Sequence, residues 1–168
     1  VILNVHHDNI SISKFNSTPG FCITDNQTYQ TESKKYLKNV WIQIAKEFAD
    51  YDNKLIFEVL NEPRDIDGEW KGNEWSTNSS EVMDIITNYE QTCIKAIRSI
   101  EGNKNRFLMI PGYAASGSDP NMLKLFKMPS DVDGVNDKLL LSTHAYSPYD
   151  FAMNNMTDTV FGSDDESS

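Results

Sequence analysis

Three short clusters of polar side chains stand at the ends of apolar runs: His6-His7-Asp8 after "VILNV", Asn61-Glu62 after "KLIFEVL", and His144 and Tyr146 closing "KLLLSTHAY". A carboxylate boxed by imidazoles, a phenol and an amide is suited to proton transfer. Glu62 is the candidate general acid and base. Asn61 beside it can both donate and accept hydrogen bonds, as recognition of a ligand hydroxyl requires. Pro63 fixes the turn that follows and biases Glu62 towards extended backbone. Polar groups this close to a core are costly unless partners satisfy them or a task requires them.

Each of these residues also has a plainer reading. The Glu of a lone "NEP" is commonly an ordinary loop carboxylate, and a single His144 a satisfied structural histidine. "HHD" could hold a metal, but adjacent strand residues point to opposite faces, so His6 and His7 are not expected to clamp one ion. Glu58 shares strand parity with Glu62 and reads as a paired structural carboxylate inside the sheet. Trp41 falls in a helical apolar stripe and belongs to the core. Trp70 and Trp75 lie in a polar loop and are either stacking platforms for a ligand ring or loop packing.

The elements that must position these groups follow from the apolar pattern. "VILNV" is a short strand, and residues 8 to 30 read as a long polar loop, of the kind that is usually functional or mobile. Tyr36, Leu37, Val40, Trp41, Ile44, Ala45 and Phe48 recur at helical spacing and predict a helix over about 32 to 50. "KLIFEVL" is a buried strand, 64 to 80 a second polar loop, and Val82 to Ile100 a second helix over about 80 to 101, with Gly102 near its αL cap. "RFLMI" (106 to 110) is a third strand, 119 to 127 a short helix, and 138 to 146 a fourth strand. Strands alternating with helices imply a parallel sheet and an α/β fold. All strand C-termini of such a sheet lie on one side, where a barrel or an open doubly wound sheet carries its site. Residues distant in sequence are thereby expected to converge.

The totals exclude several functions. The 168 residues suffice for one domain, and 39% hydrophobic with 24% charged residues is a globular composition. A formal net charge of -10 argues against a nucleic-acid partner and against an anionic membrane surface. No apolar run approaches the ~20 residues of a membrane-spanning helix. Cys22 and Cys93 form no metal spacing and no disulfide framework; both are expected to be unpaired thiols, or at most to form one incidental bridge.

Taken together, "VILNVHHDN", "LIFEVLNEPR" and "LLLSTHAYSPYDF" resemble glycoside hydrolase family 5, the cellulase family, and within it bacterial endo-β-1,4-glucanases. The resemblance spans nearly the whole chain in order and spacing. It implies a partial (β/α)8 TIM barrel, about strands three to six, with residues 1 to 168 forming a fragment of a single catalytic domain. Glu62 would be the proton donor and later general base. Asn61 would bind the 2-hydroxyl of the reacting sugar, with His6, His7, His144 and Tyr146 as substrate-binding neighbours. The partner implied is a β-glucan polysaccharide, with no cofactor and no metal, and the parent enzyme would be secreted because insoluble polymers cannot enter cells. Family members carry a nucleophilic glutamate on strand seven, roughly 5 to 5.5 Å from the acid in a retaining pair. This chain is expected to stop after strand six, with Asp164, Asp165 and Glu166 on the approach to the next helix. Made alone, it is expected to be poorly folded and inert. Alternatives left open are a mannanase, xylanase or xyloglucanase, a non-catalytic carbohydrate-binding barrel, and a metal-dependent hydrolase using His6, His7, Asp8 and His144.

Overall fold

A computed structural model describes residues 1 to 147 together with 152 and 153. Residues 148 to 151 of "SPYDF" and the acidic residues 164 to 166 lie outside the described residues. Four strands, β1 (Ile2–Asn4), β2 (Ile56–Glu58), β3 (Leu108–Ser116) and β4 (Leu139–His144), form one sheet. Helices α1 (Gln27–Glu47), α2 (Ser80–Arg98) and α3 (Pro120–Leu125) fill the three crossovers. All pairings are parallel, with Asn4 beside Glu58, Glu58 beside Met109 and Met109 beside Leu140. The spatial order β1-β2-β3-β4 follows the chain without reversal. A doubly wound sheet reverses at its switch point, whereas a (β/α) barrel advances strand by strand. The sheet is therefore an arc of barrel type.

The core forms between the helices and the sheet face that carries Phe57. Trp41 of α1 is fully buried, its ring centroid 5.4 Å from that of Phe57, and its indole N–H donates to the Val59 carbonyl at 2.9 Å. That one side chain ties α1 to the stretch leading into Asn61 and Glu62. α2 buries Ile86, Tyr89, Ile94 and Ile97 against α1 and β3. The opposite sheet face carries Asn4, Glu58 and Ser142. Ile2 and Leu140 on this arc are 54% and 40% exposed.

Several boundaries differ from the periodic pattern for local reasons. α1 begins at Gln27, five residues before the expected start, because the Asn26 side chain caps it by accepting from the N–H groups of Thr28 and Tyr29. The expected loop 8 to 30 is not wholly polar. Phe21, Cys22 and Ile23 are buried, and Asn9 pairs with Phe21 in an isolated bridge. α2 ends at Arg98, before the expected residue 101, yet Gly102 does take a positive φ of 89° against the Ala49 carbonyl. β3 does not stop at Ile110; it runs on to Ser116. Both cysteines are buried and free.

Candidate active site

The C-terminal strand ends converge as their positions imply. Glu62 follows β2, and its Oε1 is 2.8 Å from His144 Nδ1 at the end of β4 and accepts from the Tyr146 hydroxyl at 3.1 Å. His6 and His7, just past β1, line a cavity of about 130 Å³ with Asn61, Glu62 and Arg64. A wider cleft of about 610 Å³ is lined by Glu62, Trp75, Ser116, His144 and Tyr146. Glu62 is the residue common to both spaces, and the one carboxylate lining either among the described residues. The structure thus brings all six predicted residues to one rim.

Strand parity mispredicts the two histidines. β1 ends at Asn4, so the backbone at His6 and His7 no longer alternates, and both rings face the same space, edge to face with centroids 4.3 Å apart. His6 Nδ1 lies 3.1 Å from His7 Nε2. Among the described residues no group of three or more His, Cys, Asp and Glu side chains is arranged to hold a metal ion. Asp8, grouped with them in sequence, instead accepts from the Tyr36 hydroxyl on α1.

A row of polar groups stands behind the rim. Glu58 is 4% exposed, accepts from Ser142 Oγ and from Asn4 Nδ2 at 3.0 Å, and lies 3.2 Å from His144 Nε2. Asn4 also donates to Asn61 Oδ1 at 3.3 Å, which leaves the Asn61 amide N–H groups free of that contact. His144 therefore lies between two carboxylates, one on each ring nitrogen. Burial alone would lower its pKa, but hydrogen bonds to Glu62 and Glu58, with their charges, outweigh that and raise it above the ordinary imidazole value. Burial, then the bond to Glu62, likewise raises the Tyr146 phenol.

The loop from Arg64 to Ser79 forms one wall of the cleft and is held by side chains. The Tyr113 hydroxyl of β3 accepts from the Asp65 N–H at 3.1 Å and donates to the Asn73 carbonyl at 2.9 Å. Burial pushes that phenol up to about 12, so it stays a donor across the physiological range. Asp65 Oδ2 gathers the N–H groups of Trp70 and Lys71. Arg64 donates to Glu74 at 2.8 Å and to the Glu62 carbonyl at 3.1 Å, and its guanidinium lies 4.0 Å from the centre of the Trp75 ring. Trp70 packs against the core, whereas Trp75 is 57% exposed at the cleft. The two tryptophans that the sequence left equivalent are thus different: one packs, one faces ligand space.

β3 is irregular beside the site. Ala114 and Ala115 take φ values of 51° and 48°, a left-handed region that costs residues with a Cβ about 1–3 kcal/mol each. They form a bulge that moves the pairing from Pro111–Ser142 to Ser116–His144. The Ala114 N–H donates to the Pro63 carbonyl at 2.9 Å, so the distorted strand supports the turn that follows Glu62.

A parallel β/α arc with a carboxylate, imidazoles and an amide gathered on its C-terminal rim is the arrangement of a (β/α) barrel, whose site lies on that face. The chain belongs to glycosyl hydrolase family 5, the cellulase family, whose model matches residues 1–168. It is 43% identical over 154 residues to Endoglucanase B of Ruminococcus albus, covering 91% of this chain and 32% of that protein. It is 38% identical over 161 residues to Endoglucanase A of Clostridium longisporum, covering 95% of this chain and 27% of that protein. The chain thus spans about a third of the length of the curated relatives it matches. A GH5-4 broad specificity endoglucanase from Ruminococcus champanellensis, solved with bound cellotriose, superposes with a TM-score of 0.73 at 33% identity. That match covers 98% of this chain and 43% of the other.

Proposed function

We propose that the protein containing this chain is a retaining endo-β-1,4-glucanase in which Glu62 is the acid/base. The observation that carries this reading is the placement of Glu62: on the barrel rim, bonded to His144 and Tyr146, and the sole described carboxylate facing both cleft spaces. Glu62 protonates the glycosidic oxygen as a second carboxylate attacks the anomeric carbon and the leaving sugar departs. Glu62 then takes a proton from the water that releases the glycosyl-enzyme. Glu58 is unsuited to be the second carboxylate because Ser142, Asn4 and His144 already occupy its oxygens. That group is therefore assigned to a residue outside the described part of the cleft, and residues 1 to 168 expressed alone are expected to release no reducing sugar.

Asn61, oriented by Asn4, binds the 2-hydroxyl next to the reacting carbon. His6 and His7 contact the sugar on one side of Glu62; Tyr146 and the exposed face of Trp75 contact it on the other. The cellotriose in the Ruminococcus champanellensis relative supports a β-glucan chain as ligand, and the broad specificity of that relative supports related β-glycans as further substrates. An insoluble polymer requires action outside the cell.

The test is Glu62→Gln in the protein as its gene encodes it. Turnover of β-1,4-glucan should fall about 10²–10⁴-fold, and much less on an aryl glycoside whose leaving group needs no proton. Equal losses on both substrates would remove Glu62 from the acid role.

A further inference from the structure

The proposed chemistry uses Asn61 and Glu62 but leaves unexplained a buried carboxylate four residues before Glu62. A carboxylate inside a sheet is expensive unless its oxygens are filled. Those of Glu58 are filled by side chains from both sides, from adjacent β1 and from β4 beyond β3. Asn4 of β1 approaches one oxygen, and Ser142 and His144 of β4 approach the other. Two of the three donors carry on to the site. His144 reaches Glu62 with its other nitrogen, at 2.8 Å, and Asn4 reaches Asn61 Oδ1 at 3.3 Å. The contacts close a ring: Glu62, His144, Glu58, Asn4, Asn61 and back along the chain to Glu62.

We propose that Glu58 is a positioning residue for both members of the Asn61–Glu62 pair, acting on Glu62 through His144 and on Asn61 through Asn4. The inference rests on the proposed role of that pair and extends it to the residue that holds it. A neutral imidazole has one N–H and can donate to one carboxylate only. Donation to both requires the imidazolium; when Glu62 carries its proton as the acid, Glu62 donates to Nδ1 instead, and in both states Nε2 donates to Glu58. The charged or titratable groups facing this ring among the described residues are Glu58 on β2, Glu62 after β2 and Tyr146 after β4. Arg64, whose Nη1 is 3.8 Å from the far oxygen of Glu62, and His6 and His7 across the small cavity complete the set. Among the described residues only Glu58 and Glu62 bond the ring itself. Glu58 fixes the nitrogen that faces away from the cleft, which sets the plane of the ring and aims the other nitrogen at Glu62. Asn4 works by the same logic. Its amide, anchored on Glu58, claims the Asn61 carbonyl oxygen and turns the Asn61 N–H groups towards the cleft.

The experiment pairs ring-nitrogen NMR of His144 with kinetics, in the protein as its gene encodes it. In the unsubstituted protein Nε2 of His144 should carry a proton at neutral pH, donated to Glu58. A His144 found with Nε2 unprotonated there would overturn the proposal before any variant is made. Glu58→Gln, the isosteric change, should lower the His144 titration by roughly one pH unit or more and cut kcat about a hundredfold. Glu58→Gln that folds with an unmoved His144 titration and unmoved kcat would refute the positioning role. Asn4→Ala should reduce kcat roughly tenfold with KM little changed and the His144 titration in place. An Asn4→Ala protein with full kcat would refute the Asn61 arm. The NMR arm needs no turnover. A protein inactive on β-glucans therefore sinks the glucanase reading alone, while a His144 indifferent to Glu58 sinks this inference alone.

Discussion

The two ends of this sheet are both capped by buried polar groups, and they differ in what is left over. At the N-terminal end Arg106 is 2% exposed. Its guanidinium donates to Asn103 Oδ1 and to the carbonyls of Phe48, Tyr51, Asp52 and Leu55, while lying 4.5 Å from the centre of the Phe57 ring. Arg98 adds a two-pronged pair with Asp131 at 2.9 and 2.8 Å and donates to the carbonyls of Asn103 and Arg106. Arg106 spends all its donor nitrogens inside the protein, so it can stitch loops but bind nothing. At the C-terminal end the deep groups, Glu58 and Asn4, are satisfied in the same way. The groups in front of them, Asn61, Glu62, His6, His7 and Tyr146, keep polar atoms turned to open space. Among the described residues, burial and hydrogen bonding occur at both ends, and the two cavities beside Glu62 lie at one. That open space separates a site from a brace.

The comparison is broken or upheld first by crossing its two residue types. Arg106→Met strands at least four loop carbonyls and should cost about 3–5 kcal/mol of stability, read by denaturant unfolding. Whatever folded fraction remains should retain its rim contacts, including the His144–Glu62 bond seen by ring-nitrogen NMR. Glu62→Gln should do the reverse, changing stability by under about 1 kcal/mol while removing turnover. An Arg106→Met protein of unchanged stability, or a Glu62→Gln protein that unfolds, would erase the distinction between the two ends. Tyr113→Phe is a smaller test on the boundary between brace and site. It deletes a buried hydroxyl with two partners on the cleft loop and should cost about 1–2 kcal/mol. Because that loop carries Trp75, glucan binding should weaken by roughly three- to tenfold with little change in kcat. Unaltered binding would mean that the loop holds its shape without β3.

How much of this was legible in the sequence follows from the same contrast. Residues at strand ends are announced by an apolar run that stops, so Glu62, Asn61, His144 and Tyr146 could be read in place. The parallel sense followed from the alternation of periods, whereas the unreversed strand order was implied only by the family resemblance. What lies one turn or one strand behind them gives no such signal. Asn4 interrupts "VILNV" as a single polar letter, and Ser142 sits within "LLLSTH", yet both are partners of Glu58. Glu58 was read as paired, but its partners come from positions 54 and 84 to 86 residues away, a separation no local pattern encodes. Arg106 read as the first letter of a strand because its ligands are carbonyls, which every residue has. The His6–His7 arrangement was misread because strand parity was extended past Asn4, where pairing had already ended. The start of α1 was missed because periodicity begins only where the helix buries apolar groups, whereas its cap, Asn26, lies in the polar turn before.

Glu90 offers the last and smallest test, because it lies in the helix core at neither end. It is fully buried on α2, and neither carboxyl oxygen has a partner among the described residues. Burial holds its pKa well above the ordinary carboxyl range, and it raises in turn the already buried Cys93 thiol one turn on. If satisfied partners are what distinguish Glu58, then Glu90 should be a liability with a definite pH signature. The unfolded chain gives up this proton near about 4.3, while the folded chain keeps it. The folded state then binds more protons, and stability falls as pH rises above that value, until the folded group itself ionises. Glu90→Gln keeps the shape and removes the titration. It should raise Tm by about 3 °C at pH 7, with the gain shrinking towards zero near pH 4. The same substitution at Glu58 removes an acceptor shared by Asn4, Ser142 and His144 and should lower Tm at pH 7. Two variants moving Tm in the same direction at neutral pH would mean that partnering does not separate these buried carboxyls. Opposite directions would mean that hydrogen-bond supply, rather than depth, decides which buried acid a fold can use.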